Sequence, residues 1–153
     1  MGCISTLDHQ TRLDVSELLG RYCQFMDHDR GECWASLFTA DGVFEKASGL
    51  RLKGPAELAT FPAKIRAVGG GCWRHIITNV TIDRGDDHRD VIVNAYVMVM
   101  DWAEGGKPVG LCDTRMLIRR ANAWRIARVE ATPVGVDGEV TAFGTAQPEP
   151  AAA

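Results

Sequence analysis

Asp27 and His75 are the residues of this chain whose types and settings best suit proton transfer. Asp27 stands at the C-terminal end of the first predicted helix. That is the negative end of the helix dipole, where a carboxylate is disfavoured unless it caps a turn or is held by a proton donor. His28 and Asp29 adjoin it, and by type alone any of the three could be the working group. His75 falls early in a long predicted strand, where alternation puts His75, Ile77 and Asn79 on one face. A histidine and an asparagine beside an isoleucine describe the wall of an apolar pocket with a few polar groups. A lone histidine in such a wall is also a common core residue. A carboxylate that accepts one ring N–H of a histidine fixes the tautomer and leaves the other nitrogen basic near neutral pH. A general base of this kind contributes roughly 10²–10⁴-fold in rate. Residue types alone do not join Asp27 to His75.

The elements that must position these groups follow from periodicity. Val15, Leu18, Leu19, Tyr22, Phe25 and Met26 recur at three- and four-residue steps, which predicts a helix from Thr11 to the Asp29-Arg30-Gly31 segment, with Gly31 as a left-handed cap. A second short helix over 32–38 buries Trp34, Leu37 and Phe38, and Asp41-Gly42 marks a turn. A strand over 43–47 and its hairpin mate over 50–53 come next. Gly54-Pro55 opens a helix that runs to about Val68, kinked near Pro62 and stopped by Gly69-Gly70-Gly71. Four strands over 72–84, 91–102, 109–120 and 124–132 are joined by short turns, so they must pair antiparallel. Helices first and a long curled sheet afterwards give an α+β domain with one apolar pocket. The chain divides into a lead-in over 1–10, one domain over 11–132, and a Gly/Ala/Pro-rich tail over 133–153.

Composition narrows the function classes. A net charge of −3 with scattered basic residues offers no footprint for nucleic acid. No apolar run approaches the ~20 residues of a bilayer span. The N-terminus lacks a secretory pattern, and the Met1-Gly2-Cys3…Thr6 match to a myristoylation signal is short and common. The five cysteines, Cys3, Cys23, Cys33, Cys72 and Cys112, form no C-x-x-C pair, which speaks against a zinc site or a disulfide framework and for reduced thiols in the cytoplasm. The three glycines at 69–71 lack phosphate-loop spacing. Neither a metal nor a cofactor is expected. Trp34 and Phe44 are candidates to line the pocket, although aromatics in such places more often belong to the core.

Several motifs taken together carry a family resemblance. They are Tyr22 followed five residues later by Asp27, and the run Trp34-Ala35-Ser36-Leu37-Phe38-Thr39-Ala40-Asp41-Gly42-Val43-Phe44. Gly54-Pro55, Arg74-His75-x-x-Thr78-Asn79 and Arg119-Arg120…Trp124-Arg125-Ile126…Arg128 complete the set. Over about residues 10–132 the chain resembles the SnoaL-like branch of the NTF2-like superfamily. Within it, the chain looks most like scytalone dehydratase, bile-acid 7α-dehydratase and hexachlorocyclohexane dehydrochlorinase. The resemblance implies a cone-shaped fold, pairs Asp27 with His75, and assigns Tyr22 and Arg128 to the pocket. It departs from scytalone dehydratase in having only Tyr22 and Tyr96 as tyrosines, and in placing His9, His28 and His88 at a terminus or in turns.

The implied activity is a cofactor-independent lyase that acts on an apolar, cyclic small molecule, with Asp27, His75 and Tyr22 as catalytic residues. Arg128, Trp34, Phe44 and Asn79 would contact substrate. Double-bond isomerisation, or binding of a hydrophobic metabolite without catalysis, are the alternatives. A homodimer or homotrimer is the implied assembly.

Overall fold

Asp8 begins the first helix. Its carboxylate accepts the Thr11 backbone N–H at 2.9 Å and the Thr11 hydroxyl at 2.8 Å, so α1 spans His9–Asp27 and starts two residues before the apolar periodicity does. The computed structural model describes residues 7–103 and 105–135. The lipidation pattern and most of the C-terminal tail lie outside the described residues.

α1 ends where its last turn meets Asp29, which takes the left-handed conformation (φ 55°) expected of Gly31. Gly31 instead opens α2 (Gly31–Ala35), where a Cβ would sit 2.0 Å from the Ala59 carbonyl oxygen. Glycine is needed there for close approach of two backbones, not for a positive φ. α2 stops at Ala35, short of the expected Phe38. β1 (Phe38–Lys46) then begins at once, and Asp41-Gly42 lies inside it as an irregularity in pairing, not as a turn between elements.

β2 (Arg51–Lys53) pairs with β1 as a hairpin. The expected single kinked helix is two helices, α3 (Gly54–Leu58) and α4 (Phe61–Gly69), because Pro62 sits in a first turn, where proline starts a helix more readily than it bends one. Gly70 caps α4 in the left-handed region, at φ 60°. β3 (Trp73–Arg84), β4 (Asp90–Asp101), β5 (Lys107–Arg120) and β6 (Trp124–Pro133) follow.

The six strands form one open curved sheet in the order β2-β1-β6-β5-β4-β3. Four of the five pairings are antiparallel, as short turns require; β1 lies parallel to β6, which makes the sheet mixed. These two strands are distant in sequence, so no tight turn dictates their sense. The inner face of β4 is the β-branched one, with Val91, Val93, Val97 and Val99 buried and Tyr96 exposed. The helices cross this concave face. Trp34, fully buried, anchors them, with ring centroids 4.8 Å from Phe38, 5.4 Å from Tyr22 and 5.8 Å from Phe61. Among the described residues no helix is long and apolar enough to cross a membrane, and Cys23, Cys33, Cys72 and Cys112 are free thiols.

Candidate active site

The end of α1 packs against the start of β3, an edge strand of the sheet. The outward backbone N–H groups of an edge strand need partners from elsewhere. Asp27 supplies one. Its two carboxylate oxygens accept the His75 backbone N–H at 3.1 and 3.0 Å, and Oδ1 also accepts from the ring Nδ1 at 2.6 Å. Both side chains are only 6% exposed. The aspartate that the helix dipole disfavours is thus held by two N–H donors of one residue. An ionised carboxylate can only accept, so Nδ1 carries the proton and Nε2 is the basic ring nitrogen.

His75 lines a small, partly open cavity of about 30 Å³ under the helices, enough for one or two waters. A ring-sized ligand therefore enters only as side chains shift. Met26, one of the wall residues, is of the most adaptable type. Phe44, Phe61 and Val97 complete the apolar wall, and Tyr22, Lys46, Cys112 and Thr114 also line the cavity. Burial pushes the Tyr22 phenol well above its ordinary range, so it stays a neutral hydrogen-bond donor. Cys23, beside the dyad, is pushed up to about 12, first by burial and then by the Asp27 charge, and remains a thiol.

Of the residues expected in the pocket, Asp27, His75, Tyr22 and Phe44 come together. Trp34 stands behind the wall as core, and its buried Nε1 has no hydrogen-bond partner. Arg128 lies outside the pocket. The β5–β6 register shifts between Leu117 and Ile118, which pair with Arg128 and Ile126 and leave Ala127 as an extra residue. The bulge turns Ile126, Val129 and Ala131 inward and Arg128 outward, where it pairs with Glu45 and, at 2.9 Å, with Glu130. Asn79 is also elsewhere. β3 is irregular between Thr78 and Thr81, Asn79 takes φ 52°, and its exposed side chain borders a groove with Asn94, Tyr96 and Asp113.

Lys46 and Thr114 were not among the residues singled out by type. Lys46 is 6% exposed, and burial lowers its ammonium to about 8. The signal for it was present, because Lys46 is two residues after Phe44 and shares its face. A lysine near a hairpin reads as a surface residue, and that prior hid it. Among the described residues no group of three or more His, Cys, Asp or Glu side chains could hold a metal ion.

A curved sheet roofed by N-terminal helices over a pocket with a buried Asp–His pair defines an NTF2-like domain. The sequence matches the SnoaL-like domain over residues 8–130, so the chain belongs to that family. No curated protein is similar to it at a significant level. Solved structures share the fold at low identity. A protein of unknown function with a cystatin-like fold from Nostoc punctiforme has 20% identity and a TM-score of 0.74, covering 84% of this chain and 94% of its own. An NTF2-like protein from Novosphingobium aromaticivorans has 20% identity and a TM-score of 0.74, with 88% and 89% covered. ActVI-ORFA from Streptomyces coelicolor has 15% identity and a TM-score of 0.70, with 80% and 97% covered.

Proposed function

We propose that the protein is a cofactor-independent lyase that eliminates water or another small acid from an apolar cyclic molecule, with His75 as base. The observation that carries this reading is the 2.6 Å contact between Asp27 and His75 on the wall of a small, mainly apolar cavity. His75 Nε2 takes a proton from a carbon next to a carbonyl. The C–H electron pair moves into the carbonyl as an enolate, and Asp27 stabilises the imidazolium that forms. The enolate then re-forms its carbonyl and expels a hydroxide or halide from the neighbouring carbon. The imidazolium returns its proton to the departing group, so the products are an enone and water or a hydrogen halide. Tyr22, a neutral phenol in the same cavity, donates a hydrogen bond to a substrate oxygen as charge develops.

Arg128 has no part in this scheme, because it faces away from the cavity. The chain is proposed to work in the cytoplasm as a homodimer or homotrimer.

The test is turnover. Purified protein is screened against β-hydroxy and β-halo cyclic ketones, with enone formation followed by absorbance. His75→Ala should lower the rate by roughly 10²–10⁴-fold with the fold intact. Equal rates in wild type and His75→Ala would remove His75 as base. Migration of a double bond with no loss of water or halide would replace elimination by isomerisation.

A further inference from the structure

We propose that Thr114 is a specificity-determining residue of the cavity, whose hydroxyl takes a neutral hydroxyl or keto oxygen of the substrate at the end remote from the reacting carbon. This deepens the lyase reading and rests on it for the reaction, but not for binding. The burial alternation of β5 puts Cys112, Thr114 and Met116 on the inner face and Asp113 and Arg115 on the outer one. Thr114 therefore turns its side chain towards the cavity it lines with His75 and Tyr22, although it also borders the outer groove beside Tyr96 and Asp113. It is 5% exposed, and among the described residues its buried hydroxyl has no hydrogen-bond partner.

The register explains why the hydroxyl is left over. Its cross-strand neighbours on the inner face are Ala95 on β4 and Ala131 on β6. A methyl group neither donates nor accepts, and two alanines leave space beside the hydroxyl that larger side chains would fill. Elsewhere this face uses valine, and Val91, Val93, Val97 and Val99 on β4 are all buried. Valine has the shape of threonine and buries no polar atom, so an unpartnered threonine here is unfavourable for the folded protein by itself. A ligand oxygen supplies the missing partner, because a hydroxyl both donates and accepts.

The same register sets where that oxygen lies. His75 pairs with Val99, four residues along β4 from Ala95, the partner of Thr114. Four residues are roughly 13 Å along a strand, and two strand spacings, the step from β3 to β5, are roughly 10 Å. On β5 it is Gly110, not Thr114, that is level with His75. Sheet curvature and the inward reach of both side chains shorten this separation, and both residues line one cavity. Thr114 is therefore placed for an oxygen at the far end of the ligand from the carbon on which His75 acts. The substrate so described is an apolar ring system with oxygens at two opposite ends.

The probe is 2,6-dihydroxynaphthalene, with a neutral hydroxyl at each end, against 2-naphthol, with one, each titrated at pH 7 and read by its fluorescence. Wild type should prefer the diol, and in Thr114→Val that preference should fall by roughly tenfold, the size of one neutral hydrogen bond. Thr114→Ser should keep it. The ligand-free protein gives a second readout. A hydroxyl that served the fold would make Thr114→Val lower the Tm, whereas replacing an unpartnered hydroxyl by a methyl of the same shape should leave the Tm unchanged or raise it. The fall in preference should be the same in a His75→Ala background, which separates this proposal from the lyase reading, and with a substrate Thr114→Val should raise KM more than it lowers kcat. Equal binding of both probes by wild type, an unchanged preference in Thr114→Val, or a Thr114→Val protein that is less stable or fails to fold would each overturn the proposal.

Discussion

Replacing Asp27 by asparagine tests the dyad through hydrogen-bond arithmetic. The carboxylate accepts two N–H groups of His75, the backbone N–H at 3.0 and 3.1 Å and the ring Nδ1–H at 2.6 Å. An amide has one acceptor oxygen and one donor group. If its oxygen takes the place of Oδ1, it keeps the ring and the 3.1 Å branch to the backbone N–H, but its NH₂ replaces Oδ2 and sets a donor against that N–H. If it turns over, the ring must accept at Nδ1, and Nε2 then carries the proton and cannot act as base. Either way a charged acceptor is lost, which costs about 1.5–3 kcal/mol of stability. At about 4 °C per kcal/mol for a domain of this size, the Tm should fall by roughly 6–12 °C. Turnover should fall by roughly 10²–10⁴-fold, or about 2.7–5.4 kcal/mol of activation free energy. The assay pairs initial rates with ¹⁵N spectra of the imidazole, which report the tautomer directly. An Asp27→Asn protein that keeps the Nε2-basic tautomer and wild-type turnover would refute the reasoning.

Tyr22→Phe should fold normally, because the ring packing on Trp34 and Phe38 is retained, and should lose roughly 10²–10³-fold in turnover if the phenol donates to the developing oxyanion. Arg128→Ala should leave turnover unchanged. Its 41% exposed side chain pairs only on the outer face, so denaturation should show a change within about 1 kcal/mol. Lys46 binds its proton less tightly folded than unfolded, with about 8 against an ordinary 10.5. Between these values the unfolded chain holds more protons, so this group makes stability rise with pH. Cys23 acts in the opposite sense. Its folded value of about 12 against 9.0 means that its contribution is present below pH 9 and is lost as pH rises towards 12. Chemical denaturation from pH 7 to 11 should therefore show a steeper alkaline loss in Lys46→Met and a shallower one in Cys23→Ala than in wild type.

Much of the fold was legible because its elements are written in strong periods. The stripe from Val15 to Met26 marks α1, and the β-branched alternation from Val91 to Val99 marks a packed face of β4, although which face meets the cavity was not legible. Asp27 and His75 could be placed on their elements, but their contact depends on how α1 meets an edge strand, which no local pattern encodes. The misplacements have local causes. Arg128 was assigned by the family resemblance and Asn79 by strict alternation, and a bulge beside each turns it away from the pocket. Gly31 was read as a cap because glycine favours positive φ, whereas its place answers to the Ala59 carbonyl across the chain. Lys46 was passed over because charge outweighed face, although Phe44 two residues earlier shares its side of β1.

Proton abstraction by His75 can be observed without knowing the natural leaving group. Wild-type protein is incubated in deuterium oxide with an enolisable cyclic ketone, and deuterium uptake at the carbon beside the carbonyl is followed by NMR. Catalysed uptake that disappears in His75→Ala is the expected result. Uptake at the same rate in both proteins would contradict a base at this position.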